Sequence, residues 1–102
     1  MYQRDTYRMV RHELVVPKVR NDGTPSGYPE LIREGLIGAG IDGWTEFETA
    51  GYWQGKREEG ITFVIFAMED ITEKIGQVAR FVMTDQEAIQ VVLADTVTLV
   101  EA

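Results

Sequence analysis

The chain contains no cysteine, which excludes disulfides and thiolate metal sites. His12 is its one histidine, so a zinc site would need carboxylates for the remaining ligands. Ser26 is the one serine. It lies in Gly-Thr-Pro-Ser-Gly rather than in a G-x-S-x-G elbow, which argues against a hydrolase triad. There is no G-x-x-x-x-G-K-[ST] phosphate loop. No apolar run reaches the roughly 20 residues of a membrane span. The opening MYQRDTYRMVR lacks the apolar centre of a secretory leader. Positive charge is in deficit: Lys and Arg number 10 against 17 Asp and Glu, a net charge of −7. That disfavours nucleic acid and anionic membranes, whose affinity comes from neutralising phosphates. The expectation is a cytoplasmic protein with no metal and no cofactor.

What is present suits one globular unit. The chain has 102 residues, 44% of them hydrophobic. A single domain over residues 1–102 is expected, large enough to bury about two-thirds of its unfolded surface.

Residues 7–16 alternate. Val10, His12, Leu14 and Val16 share one face; Tyr7, Met9, Arg11, Glu13 and Val15 share the other. That period belongs to a strand, which Pro17 ends. Asn21-Asp22-Gly23 is turn chemistry. Pro29 suits a first helical turn, and Tyr28, Leu31, Ile32, Gly35, Leu36 and Ala39 form a helical stripe ending near Gly40. Gly35 and Gly38 weaken this helix, and close packing against a sheet would account for them. Residues 44–53 form a second strand, with Trp44, Glu46, Glu48, Ala50 and Tyr52 on one side and Phe47 and Trp53 on the other. Residues 61–68 form a third strand that is apolar on both faces, Ile61, Phe63 and Ile65 against Val64, Phe66 and Met68. Glu58 and Glu59 fall in the connecting loop on this reading.

Asp70, with Glu73 three residues on, reads as the cap of a second helix. Ile71, Ile75, Val78, Ala79 and Val82 are its buried stripe. Residues 89–94 form a fourth strand and residues 97–100 a short fifth. The order β-α-β-β-α-β predicts a ferredoxin-like α+β sandwich, an antiparallel sheet with two helices on one face. The apolar second face of the third strand then needs a cover, and another copy of the chain is the simplest one.

Three motifs compete for function. Gly38-Ala39-Gly40-Ile41-Asp42-Gly43 matches G-x-G-x-x-G, but it closes a helix instead of opening one, so it reads as a turn. Glu46 and Glu48 lie about 7 Å apart on one strand face by the strand rise, within glycosidase range, yet a solvated strand face explains them equally. The third is GYWQGKREEG, residues 51–60. A plain hairpin accounts for it with Gly55 in the turn. Alternatively its aromatic planes, amide and cations suit a planar anionic molecule such as a nucleotide.

The stretch IREGLIGAGIDGWT, residues 32–45, resembles the segment of PII signalling proteins that leads from a helix through a glycine turn into the second strand. GYWQGK, residues 51–56, resembles the base of the PII T-loop. Tyr52-x-x-Gly55 followed by Glu resembles the CutA hairpin. The pieces Trp-x-Gly…Glu and Asp85-Gln86-Glu87-Ala88-Ile89 resemble an uncharacterised bacterial family. The chain is thus similar, over residues 31–100, to the trimeric ferredoxin-fold superfamily of PII and CutA. That resemblance implies a homotrimer with ligand clefts between subunits. Carried over by position, Gly51, Gln54, Gly55 and Lys56 match the T-loop base. The chain departs at residues 84–88, TDQEA, which lack the glycines and lysine of the PII nucleotide loop, and the T-loop itself is almost absent.

The resulting expectation is a non-enzymatic homo-oligomer that binds a small anionic, nucleotide-like ligand through Tyr52, Trp53, Gln54, Lys56 and Arg57. Arg80 and Gln86 would come from the neighbouring subunit. Two rivals stand beside it. One is a small acidic interaction or inhibitor protein, of the kind phages or plasmids encode, with a protein partner. The other is an enzyme of the dimeric α+β-barrel type with His12 and a carboxylate as its acid–base pair.

Overall fold

The computed structural model describes residues 3–83 and 89–101, with side chains described for residues 9–83. Its elements are β1 (Gln3–Pro17), α1 (Tyr28–Gly38), β2 (Thr45–Trp53), β3 (Lys56–Ala67), α2 (Thr72–Val82) and β4 (Ile89–Glu101). They form one antiparallel sheet in the order β2-β3-β1-β4. This is the expected ferredoxin-like arrangement. The first two strands are separated in space by the third, and each helix crosses back over the sheet.

Alternation along β1 sets the two faces. His12, Leu14 and Val16 are buried, whereas Arg11, Glu13 and Val15 are half-buried. Strand β1 pairs with β3 from Val10↔Ala67 to Pro17↔Gly60, so Ile61, Phe63 and Ile65 lie on the His12 side. Those residues, with Tyr28, Ile32 and Leu36 of α1 and Ile75, Val78 and Ala79 of α2, make the core. Burying each large apolar side chain stabilises the fold by about 1.5–3 kcal/mol. The opposite face has no helix over it. There Val64 is buried among its strand neighbours, but Phe66 is 43% and Phe47 53% exposed.

The helix ends follow local chemistry. Gly27, at φ 71°, turns the chain into α1. Ser26 is buried; its hydroxyl donates to the Pro17 carbonyl at 2.8 Å and accepts the Tyr28 amide at 3.1 Å. The lone serine is therefore a structural brace. Helix α1 closes with Ile41 N–H on the Leu36 carbonyl and Gly40 N–H on that of Ile37, Gly40 having φ 84°. That is the Schellman pattern, and it settles the G-x-G-x-x-G match as a helix stop.

Four expectations need correction. Helix α2 begins at Thr72 with Ile71 in the N-cap position. Asp70 stands one residue earlier than expected, although its carboxylate still accepts the Thr72 amide at 2.8 Å. Residues 89–101 form a single strand instead of two, because the long β1 continues to pair through Met9↔Asp95 and Arg8↔Thr96. Strand β3 starts at Lys56 and not at Ile61, so Glu58 and Glu59 belong to it and not to a loop. Gly35 packs against a helix, not the sheet: a Cβ there would lie 2.7 Å from Val78 Cγ1, while Gly38 faces open space.

Gly60 is the tightest point of the sheet. A Cβ on it would stand 2.8 Å from the Val16 carbonyl oxygen and 3.8 Å from Pro17 Cα. Gly60→Ala is predicted to cost about 1–3 kcal/mol through overpacking. Gly38→Ala, in open helix surface, is predicted to gain up to about 1 kcal/mol. Urea unfolding midpoints check both; equal midpoints for the two variants would contradict the packing.

Candidate ligand groove at the base of the hairpin

Strands β2 and β3 pair from Thr45↔Val64 out to Trp53↔Lys56. Only Gln54 and Gly55 remain as the loop, at φ 51° and 76°. Two successive positive φ values are the signature of a type I′ hairpin turn, whose twist matches that of the strands. Beyond Pro17↔Gly60 the ribbon of residues 50–59 has no β1 beside it, and every one of residues 50–59 is exposed.

Pairing sorts the predicted ligand residues onto two faces. Tyr52 is the cross-strand partner of Arg57, and Trp53 that of Lys56. Tyr52 and Arg57 share the helix-side face; Trp53 and Lys56 share the other. Tyr52 is 71% and Trp53 67% exposed. One compact cluster of all five residues is therefore not formed within a single chain. Arg80 lies on α2, where its guanidinium approaches Glu73 at 3.9 Å. Gln86 lies outside the described residues.

A groove of about 260 Å³ opens at the ribbon's base, lined by Lys18, Glu48, Thr49, Ala50, Arg57, Glu59 and Gly60. Lys18 reaches it because its amide bonds the Glu59 carbonyl at 3.0 Å, just past the end of β1. Two cations and two carboxylates meet there. Lys18 Nζ is 3.4 Å from Glu48, and Arg57 is 3.5 Å from Glu59. Both pairs are solvent-exposed and hold loosely, each worth about 0–1 kcal/mol. Lys18 is not among the predicted ligand residues, because it follows the proline that ends β1. Its signal emerges only once β3 is extended back to Lys56, which brings Glu59 beside it.

The remaining candidates have structural partners. Arg33 grips Glu46 with two nitrogens, at 2.9 and 2.7 Å, and Trp44 Nε1 donates to the same carboxylate at 2.9 Å. The Arg33 bonds hold the Glu46 carboxyl below its usual range, with Trp44 assisting and partial burial opposing. Glu46 thus ties β2 to α1, and Glu48 answers Lys18, so the two do not form an acid–base pair. His12 is fully buried. Its Nδ1 lies 3.2 Å from the Ile65 carbonyl and its Nε2 accepts the Ile71 amide at 3.1 Å. Both nitrogens are engaged inside the fold. Among the described residues no cluster of three or more metal-ligating side chains occurs, and no helix is long and apolar enough to cross a membrane.

The architecture is a ferredoxin-like α+β fold shared with solved structures. Among solved structures, the chain is similar to CPII, a nitrogen regulatory PII-like protein from Thiomonas intermedia bound to ADP, AMP and bicarbonate. The TM-score is 0.69 at 14% identity, over 91% of this chain and 96% of that one. It is also similar to a functionally unknown protein from Pediococcus pentosaceus, with a TM-score of 0.52 at 15% identity, over 93% and 91% of the two chains. At these identities the likeness establishes the fold. No protein-family model and no curated protein matches the sequence.

The turn geometry supplies a stability prediction. Gln54 holds a left-handed conformation that an L-residue with a Cβ adopts at a cost of roughly 1–2 kcal/mol. Asn tolerates it better and is favoured before Gly in type I′ turns. Gln54→Asn is therefore predicted to raise the melting temperature, by a few tenths to about 1 kcal/mol of stability. A lowered melting temperature would contradict the assigned turn.

Proposed function

We propose that the chain is a non-enzymatic, cytoplasmic PII-like protein that assembles with copies of itself, as a homotrimer, and binds a small nucleotide-like anion in clefts between subunits. The observation that carries this reading is the groove where Lys18 and Arg57 converge beside the exposed Tyr52. The two cations have weak internal partners, so an entering phosphate competes with Glu48 and Glu59 for them on favourable terms. Tyr52 offers its ring as a stacking surface on the same side of the ribbon. The nucleotides bound by CPII, whose fold this chain shares, support a ligand of that class.

Trp53, Gln54 and Lys56 then act from the ribbon's other face, toward a ligand held with the adjacent copy. Arg80 and Gln86 are the residues offered by that neighbour. The uncovered sheet face supports the assembly. Phe47, Phe66 and Val15 leave apolar surface that water solvates poorly, and a second copy of the same face is a complementary cover.

Calorimetric titration with adenine nucleotides tests the ligand. Wild type is expected to show saturable binding. Arg57→Gln and Lys18→Gln should each weaken it by about 1.5–3 kcal/mol, one charge-assisted hydrogen bond apiece. Trp53→Phe should remove the accompanying change in fluorescence. No heat and no quenching across a panel of nucleotides would overturn the ligand reading and favour the acidic interaction protein.

The assembly has its own test. Phe66→Asp places a charge on the open face, where a single copy tolerates it and an interface does not. Burying that unpaired charge costs several kcal/mol. Sedimentation velocity is predicted to show a folded monomer for Phe66→Asp and a larger species for wild type. Identical sedimentation of the two would contradict the buried face.

A further inference from the structure

His12 plays no part in the groove, yet it joins three segments. Its Nδ1 faces the Ile65 carbonyl of β3 at 3.2 Å, and its Nε2 accepts the amide of Ile71, the N-cap residue of α2, at 3.1 Å. A carbonyl can only accept and an amide can only donate. The two bonds therefore fix the ring as neutral, with its proton on Nδ1. The Ile71 amide belongs to the group of helix-start donors that find no partner inside the helix, so this buried ring serves as the cap. Beside it, Asp70 Oδ1 lies 3.6 Å from the same Nε2. That carboxylate is already occupied by the amide and hydroxyl of Thr72.

We propose that His12 and Asp70 form an acid-sensitive latch that fastens the start of α2 to the sheet. When Nε2 takes a proton from solvent it becomes a donor and can no longer accept from Ile71. The Asp70 carboxylate, 3.6 Å away, offers an acceptor for the new N–H. Closing from 3.6 Å to hydrogen-bond distance draws Asp70 toward the ring and away from the Thr72 amide. Both bonds at the first turn of α2 are then exchanged for one ion pair, and the turn loosens while the β1–β3 ladder stays intact.

Among the described residues, Asp70 is the charged group set beside Nε2. On His12's own strand, Arg11 and Glu13 point to the opposite sheet face and pair with each other at 2.7 Å. Strand β3 presents Ile61, Phe63 and Ile65 on this face. Helix α1 presents Ile32 and Leu36, and its Tyr28 hydroxyl is engaged by Arg20 at 3.4 Å. On α2, Glu73, Lys74 and Arg80 are exposed, while Ile75, Val78 and Ala79 face the core. Strand β4 pairs Val92 with His12.

Heteronuclear NMR of the wild-type protein, titrated from neutral pH downward, tests the latch. At the upper end the ring nitrogens should show the Nδ1–H tautomer. On acidification the ring and the Ile71 and Thr72 amides should shift with one common midpoint. Hydrogen exchange at those amides should speed by roughly five- to tenfold, the loss of about one cap bond, while exchange at Leu14 and Phe63 is unchanged. Asp70→Asn keeps a capping side chain but removes the charge, and should move the midpoint to lower pH. The proposal fails if the ring stays neutral until the whole chain unfolds. It also fails if the Ile71 amide does not follow the ring, or if Asp70→Asn leaves the midpoint in place.

Discussion

The ladder between β1 and β3 is the constraint on which the rest depends. It fixes His12, Leu14 and Val16 beside Ile65, Phe63 and Ile61, and so decides which side receives both helices. The same register sends Val15, Thr62, Val64 and Phe66 to the far side. One shift of a single residue would exchange the two sets. Gly60 closes the ladder at its tight end, because only a residue without a Cβ lets the Val16 carbonyl come so near. From that point the chain leaves β1, Lys18 folds back on Glu59, and the free ribbon and its groove begin.

Much of this was legible from periodicity. The order of elements, the two faces of β1 and the two-sided apolar character of β3 follow from alternation alone, and the helix stop at Gly40 follows from the backbone freedom of glycine. The start of β3 was hidden. Lys56 to Glu59 carry no apolar alternation because the ribbon is solvated on both faces, so the strand reads from Ile61, and Glu58 and Glu59 read as a loop. Only pairing with β2 makes them a strand. The apparent break at Asp95 and Thr96 misled for a related reason: long-range pairing with β1 overrides weak local propensity. Ser26 reads as no hydrolase nucleophile, and His12 has a chemical role only in the rival enzyme reading. Their burial and their paired polar atoms make them braces.

The question raised by GYWQGKREEG has a divided answer. Its centre is a hairpin turn of minimal length, and the cross-strand register separates Lys56 from Arg57. Tyr52 and Arg57 gain a companion that lies far away in sequence, Lys18, while Trp53 and Lys56 look toward the face that no described helix covers. A cleft that uses both faces of the ribbon is complete only when copies of the chain meet. Ligand binding and assembly are therefore linked in this reading, since a molecule that contacts two copies stabilises the assembled state by mass action.

Native mass spectrometry of the wild-type protein examines that link most directly, because it reports the subunit count and any retained small molecule together. The expected result is a trimer whose mass exceeds three chains when adenine nucleotide is present and which outlasts dilution better with nucleotide than without it. A monomer at all concentrations, with no added mass, would contradict both the covered face and the shared cleft.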